Sequence, residues 1–455
     1  MPTEPAAPGA TDPGTSSPAT SAPAPGATGP GTSVPATTGL RVAFVITRGD
    51  SVGGAQIHVR DLGARLVADG ADVLVLVGTT GPFTADLDRH SVRWRLCPAL
   101  ARSVNPLRDL HAIREVHRAL LRYRPALVST HTAKAGLVGR LASAWAGVPS
   151  LFTAHGWQFA PGIPPAQRAL VYTLELLLSR LPGPPRSPRS PRPRAPSGPP
   201  NRVITVSRFD YRLARRSSAV PAARLRLIYN GLPDLPPPPL PSPAPQPTAR
   251  PPGRVPVLTM IARFQAQKDH ATLLRALAAV PGPWKLLLVG EHGPTAEAVQ
   301  QTAAALGLPC AAGITGTPDP AGAAVCNATA RGPAARSVQF LGHRTDIAEL
   351  LAATDIYCLV SHWEGLPRSI IEAMRAALPV VATNVGGVRE LVQHEHSGLL
   401  IERADISGLA AQLRRLLANP ALRQRLGRNA RRRYEAHFTF DAMYHATLAV
   451  WHELL

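Results

Sequence analysis

Residues 355–383, "DIYCLVSHWEGLPRSIIEAMRAALPVVAT", read as strand, turn, helix and strand. "DIYCLVS" (355–361) is a short apolar run without polar alternation, as a strand buried on both faces requires. Gly365 permits a tight turn, and Pro367 fits the first helical position, where its missing N–H is no loss. "PVVAT" (379–383) is the next buried strand. Strand, helix and strand in that order build a parallel sheet covered by helices.

The same unit recurs outward from this stretch. In the second half, "VPVLTMIA" (255–262), "KLLLVG" (285–290) and "VQFLG" (338–342) are further strands with helices between them. In the first half, "RVAFVIT" (41–47) leads into the loop "RGDSVGG". Val59, Leu62, Gly63, Leu66 and Val67 then follow at helical spacing, and "ADVLVLVG" (71–78) closes the unit. "ALVST" (126–130), a helix over 133–146 stopped by Gly147, "PSLFTA" (149–154) and "NRVITVS" (201–207) continue the pattern. The expected fold class is therefore α/β, with two doubly wound domains facing one cleft. Ligands then bind at loops that follow the carboxyl ends of strands.

Three segments fall outside this pattern. Residues 1–39 are Pro, Ala, Thr, Gly and Ser, with Glu4 and Asp12 as their only charges. Residues 181–200 are a Pro/Arg-rich insert, and 232–253 is a Pro-rich linker. None can bury enough surface to offset the entropy of ordering, so all three are expected to be disordered. The expected division is a tail at 1–39, a first Rossmann-like domain at 40–231 and the linker at 232–253. A second such domain at 254–434 follows, and a C-terminal helix at 435–455 packs back on the first domain.

The formal charge of +20 over 455 residues favours anionic partners, although part of it reflects a general bias toward Arg. Cys97, Cys310, Cys326 and Cys358 have neither zinc-ligand nor redox spacing, which fits reduced thiols in a cytoplasmic protein. No basic segment precedes an apolar run near the N-terminus, and no run of about 20 apolar residues occurs. Neither a signal peptide nor a spanning helix is expected. Aromatic residues are only 5% and are absent from the Arg-rich tracts, which disfavours a nucleic-acid-binding module.

The chemistry-bearing residues sit at predicted strand ends. Glu364 precedes the helix that opens after "Gly365-Leu366-Pro367", and Glu372 lies about one and a half turns into it. The helix N-terminus offers free N–H groups and a positive dipole end to a phosphate. Two carboxylates beside such a cradle suit a ribose diol and a sugar hydroxyl. Arg263 and Lys268, in the loop after 255–262, can neutralise a diphosphate leaving group. His155, in "TAHGW", can hydrogen-bond a donor sugar or phosphate. His131 and Lys134, in "STHTAKAG", are expected on the acceptor side. No Asp-x-Asp motif stands at a strand end and no His/Cys group has ligand spacing, so neither a metal nor a resident cofactor is expected.

"EGLPRSIIEAM" followed by "LPVVATNVGGVRELV" resembles the E-x7-E motif of family 4 glycosyltransferases, which have the GT-B architecture of two Rossmann-like domains. The resemblance extends over nearly all of 40–455 apart from the Pro-rich inserts. It implies that Glu372 holds the nucleotide ribose and Glu364 contacts the donor sugar. It also implies donor-phosphate binding by Arg263 and Lys268 and a catalytic-site contact by His155. Gly53 and Gly54 match the family's first loop, Arg344 lies beside the base with Asp346, and Gly386 and Gly387 lie beside the donor. Ala262 stands where the family usually has Gly.

The function so implied is retaining, metal-independent transfer of a sugar from a nucleotide-diphosphate sugar to a glycan or lipid-linked acceptor in polysaccharide biosynthesis. "GGAQIHV" and "TAHGW" are most similar to exopolysaccharide or capsule-type members. The expected place is cytoplasmic, with peripheral contact at the anionic inner face of the membrane. The alternatives are another GT-B enzyme, a phosphorylase or a nucleotide-sugar epimerase; a phosphorylase would betray itself by a yellow pyridoxal cofactor.

Overall fold

The computed structural model describes residues 37–103, 105–160, 162–181, 201–234, 254–311 and 336–455. The disorder expected for most of the tail, the Pro/Arg insert and the linker falls outside the described residues.

The first half runs β1 (Arg41–Ile46), α1 (Gly54–Ala68), β2 (Asp72–Val77), α2 (Pro82–Arg89), β3 (Arg93–Leu96), α3 (Pro106–Tyr123), β4 (Leu127–His131), α4 (Ala133–Ala146), β5 (Ser150–Ala154), α5 (Pro165–Leu178), β6 (Asn201–Thr205), α6 (Arg208–Arg216) and β7 (Leu225–Leu227). The second runs β8 (Val257–Ile261), α7 (His270–Ala278), β9 (Trp284–Val289), α8 (Ala296–Ala305), β10 (Cys310–Ala311), β11 (Arg336–Phe340), α9 (Ile347–Ala352), β12 (Ile356–Leu359), α10 (Arg368–Arg375), β13 (Val380–Thr383), α11 (Val388–Leu391) and β14 (Gly398–Ile401). Three helices end the chain: α12 (Ile406–Ala418), α13 (Pro420–His437) and α14 (Phe440–His452).

The strand orders are β3-β2-β1-β4-β5-β6-β7 and β10-β11-β9-β8-β12-β13-β14, and every pairing within these sheets is parallel. The order reverses between β1 and β4 in one sheet and between β8 and β12 in the other. Loops leaving neighbouring strands at such a reversal diverge to opposite faces and open a crevice at the carboxyl end. The site described below is built from the loops after β1, β4, β5, β8 and β12.

α14 returns to the first half. Phe440, Met443, Tyr444, Leu448 and Trp451 join Val42, Phe44 and Ile46 in one apolar cluster. Trp451 is fully buried against Phe44, with ring centroids 6.2 Å apart. Ion pairs from Arg65 to Asp441 and from Arg202 to Glu453 flank the contact, both at 2.8 Å. Pro367 takes the N-cap position of α10 rather than the first helical one, with φ −68° and ψ 117°, and no side chain among the described residues caps this helix.

Candidate active site

The loop after β8 folds against the loop after β12. The Asp269 N–H donates to the Val360 carbonyl (3.0 Å) and the His362 N–H to that of Gln267 (2.9 Å). This pairing places the Lys268 ammonium on Glu364 Oε1 as an ion pair, with side-chain exposures of 16% and 6%. Gln267 Nε2 donates to the Trp363 carbonyl (2.7 Å) and to Glu364 Oε2 (3.3 Å). Both Glu364 oxygens are thus held. Arg263 enters from the same loop; desolvation lowers its pKa, with Arg48 and Arg102 acting in the same sense and Glu291 and Glu364 opposing. Its guanidinium reaches solvent, and it makes no hydrogen bond among the described residues. Arg48 comes from the loop after β1, so cations of both halves meet at this mouth of the cleft.

Glu372 lies one turn into α10, enclosed by protein yet still reached by solvent. Burial holds its carboxyl above the usual range, while Arg368 and Arg375 pull it back down. Its carboxylate makes no hydrogen bond among the described residues, which leaves it available to a ligand hydroxyl. Arg344 is held in a fork by Asp346, at 2.8 and 2.5 Å, in the loop after β11.

The two halves touch at backbone level here. A Cβ on Gly365 would lie 2.6 Å from the His155 carbonyl oxygen and 2.9 Å from Gly156 Cα. A Cβ on Gly387 would lie 2.3 Å from the Gly365 carbonyl oxygen and 2.8 Å from Ser207 Cβ, and one on Gly386 would overlap the Glu364 carbonyl. These glycines are places where another chain segment passes too close for a side chain. The Leu366 carbonyl accepts from Asn230 Nδ2 (3.2 Å), a third tie between the halves.

The first half contributes histidines. His131, at the end of β4, is fully buried; its Nε2 lies 3.0 Å from Ser129 Oγ and its Nδ1 3.2 Å from His155 Nε2. Phe44 stacks on its ring. His58, from α1, lies edge-on to His155 with centroids 5.0 Å apart. Burial depresses all three imidazoles, His58 and His131 well below the usual value and His155 to about 3. The backbone entering α4 is strained beside them, since Thr132 holds φ +77° and bonds Thr47 Oγ1 at 2.9 Å. The segment after His155 is pinned to α6, where the Asp210 carbonyl accepts from Trp157 Nε1 (2.9 Å).

Most of the residues singled out in the sequence thus meet at one cleft. His131 and Lys134, expected to line the acceptor side, do not face it together. His131 is buried behind His155, and Lys134 is tied to Asp109 of α3 at 2.6 Å. The sequence reading also passed over Arg368, which begins α10 and crosses to α1. Its Nη2 donates to Asp61 at 3.0 Å, both side chains are 7% exposed, and its stem lies 3.3 Å from where a Gly54 Cβ would be. Glu390, also of the second half, accepts the Arg208 and Phe209 N–H groups at the start of α6 (2.6 and 2.7 Å). The signal for Arg368 and His58 was their presence inside the quoted motifs; their partners lie too far along the chain for spacing to reveal.

Two family models match. "Glycosyltransferase Family 4" matches residues 52–234 and "Glycosyl transferases group 1" matches 326–433. Among curated proteins, a UDP-Gal:alpha-D-GlcNAc-diphosphoundecaprenol alpha-1,3-galactosyltransferase of Escherichia coli is 25% identical over 354 residues, 77% of this chain and 81% of that one. A D-inositol 3-phosphate glycosyltransferase of Salinispora arenicola is 28% identical over 349 residues, 72% of this chain and 68% of that one. Among solved structures, Anabaena HepE in complex with UDP and glucose superposes with a TM-score of 0.69 at 20% identity, over 91% of this chain and 100% of that one. The first model takes in β2 to β7 and the second β11 to β14; the strand orders give the GT-B architecture, and the chain belongs to the family 4 glycosyltransferases.

Proposed function

We propose that this chain is a retaining glycosyltransferase that takes a sugar from a nucleotide-diphosphate sugar held by its second half. The observation that carries this is the backbone contact of Gly365 with His155 and Gly156. It sets the Glu364–Lys268 pair and the uncapped start of α10 directly against the histidines of the first half. Glu372 takes the ribose diol and Glu364 a hydroxyl of the donor sugar. Arg263, Lys268 and the start of α10 meet the negative charge that grows on the leaving diphosphate. Gly53, Gly54, Gly386 and Gly387 keep the walls close to the donor. His155, neutral and backed by His131, hydrogen-bonds the donor.

In the transfer step an acceptor hydroxyl oxygen bonds to the anomeric carbon as the bond to the β-phosphate oxygen breaks. The hydroxyl proton passes to that leaving phosphate oxygen on the same face, so the configuration is kept. The protein groups supply position and charge and require no metal for this step. The Escherichia coli relative is named for a UDP-sugar donor and a diphosphoundecaprenol acceptor, which supports a lipid-linked acceptor and a role in polysaccharide assembly here.

A lipid-linked acceptor brings the enzyme to a membrane surface. No helix among the described residues is long and apolar enough to span one. α3 offers a surface contact instead: Leu107 (83% exposed), Leu110 and Leu121 stand among the exposed Arg108, Arg114, Arg118 and Arg122. Its acids are occupied, Asp109 by Lys134 and Glu115 by the Ala99 N–H. Such a face suits the anionic interface of the inner leaflet.

The test is turnover with a panel of nucleotide-diphosphate sugars and a lipid-diphosphate-linked acceptor sugar, with the product's anomeric configuration read by NMR. Nucleoside diphosphate release with an axial donor giving an axial product supports the proposal. An inverted product refutes retention, and no release with any donor refutes the transferase reading.

A further inference from the structure

The sequence spacing of histidines 58, 131 and 155 gives no metal signature. The fold nevertheless brings one ring nitrogen of each within 4.8 Å of the other two. We propose that His58, His131 and His155 form a site for a divalent transition metal of the Zn2+ or Co2+ kind, at the floor of the cleft.

Three observations carry it. First, the His131 Nδ1 to His155 Nε2 distance is 3.2 Å. Two nitrogens on one tetrahedral zinc, with Zn–N bonds of about 2.0–2.1 Å, lie about 3.3 Å apart. The ring centroids are 5.0, 5.3 and 5.5 Å apart, close to the ~5 Å that three imidazoles around one such ion adopt. Second, an outer partner is in place. Ser129 Oγ, 3.0 Å from His131 Nε2, is placed to accept a proton there, which directs the Nδ1 lone pair toward His155 Nε2, where a metal would sit. Third, His58 Nδ1 is buried without a hydrogen-bond partner among the described residues, a cost that proteins seldom carry without a purpose.

The neutral state of the rings agrees with this. A metal competes with protons for imidazole nitrogen, and burial holds all three rings deprotonated far below neutral pH. Binding thus releases no net proton near pH 7; it only fixes tautomers. The opposing charge is Arg368, which bears on His58 and His155 and is balanced by Asp61. His155 alone retains solvent access, so an entering ion and its fourth ligand, a water or a phosphate oxygen, come from that side. Under the transferase reading, on which this one consequence rests, such an ion inhibits, because it ties up the His155 ring that hydrogen-bonds the donor.

The test uses the full chain, freed of metal by chelator and titrated with Co2+ by visible absorption and with Zn2+ by calorimetry. One tight equivalent is expected, with the intense ligand-field bands of tetrahedral Co2+. His155→Ala and His58→Ala should weaken it at least about tenfold, Ser129→Ala by about tenfold, and His292→Ala, at an exposed position, not at all. If His58→Ala fails to fold, the partly exposed His155→Ala decides. Absence of tight binding, or binding unchanged in a folded His155→Ala, overturns the proposal. Zn2+ that binds but leaves transfer unaffected upholds the site and counts against the place of His155 in the reaction, so the two failures are separable.

Discussion

Gly365→Ala places a single methyl group in the contact between the two halves. Gly365 is not among the residues with positive φ, so alanine is allowed by its own backbone. The entire effect is therefore steric and directed across the cleft. The new Cβ meets the His155 carbonyl oxygen at 2.6 Å, against 3.4 Å or more for an ordinary contact. The opposing atoms are backbone and cannot rotate away, so the halves must separate by about 0.8 Å at this point. Misplacement of reacting groups by about 1 Å costs on the order of 10²-fold in rate. Transfer should fall by about that factor, while nucleotide affinity stays close to that of the parent, because Glu372 and Arg263 lie in the same half. Steady-state rates of nucleoside diphosphate release and calorimetry with the free nucleotide separate the two. A thermal melt checks that both halves remain folded. Gly365→Ala with the parent kcat would refute the closed backbone contact as the catalytic arrangement.

Two further outcomes follow from the geometry. His58, His131 and His155 stay neutral in the fold but titrate at about 6.5 when unfolded, so stability is lost as pH falls below 6.5. Each contributes a slope that rises toward about 1.4 kcal/mol per pH unit as pH falls below 6.5. Asp210, pushed up to about 6, and Glu372, also raised, act in the opposite sense at lower pH and offset part of the loss. His155→Gln should flatten the pH dependence of the urea midpoint in this range, and an unchanged slope would contradict the buried neutral cluster. On α3, Arg114→Glu with Arg118→Glu should abolish sedimentation with anionic vesicles at low salt; at about 1 kcal/mol per arginine, the loss is at least tenfold. Sedimentation unchanged in that variant removes α3 as the membrane face.

What could be read from the sequence divides along physical lines. Every interior strand among the described residues was legible, because burial on both faces forces a continuous apolar run such as "RVAFVI" or "VVAT". β3, β7, β10 and β14 were not, and they are the four sheet edges. β3 reads Arg-Trp-Arg-Leu and is mostly exposed, β7 and β10 are three and two residues long, and β14 begins with Gly398. An edge strand has one neighbour and need not be apolar. Within the site, Glu364, Lys268 and Gly365 were legible because each stands where a strand becomes a loop. The pairing of Arg368 with Asp61 spans 307 residues, and the histidine cluster joins α1 to the ends of β4 and β5. Neither has a local period to betray it. Lys134 shows the converse, a residue just past the right strand end, in the first turn of α4, whose charge is already used by Asp109.

The central claim is that the second half holds a nucleotide diphosphate by its ribose at Glu372. Its most direct test is a calorimetric titration of UDP, and of the other nucleoside diphosphates, into the parent chain and into Glu372→Gln. The account predicts saturable binding of one equivalent to the parent. It predicts a loss of about tenfold or more in the variant, the scale of about 1.5–3 kcal/mol for hydrogen bonds to a charged group. Binding of equal strength in the two proteins, or no binding of any nucleoside diphosphate to the parent, would contradict it.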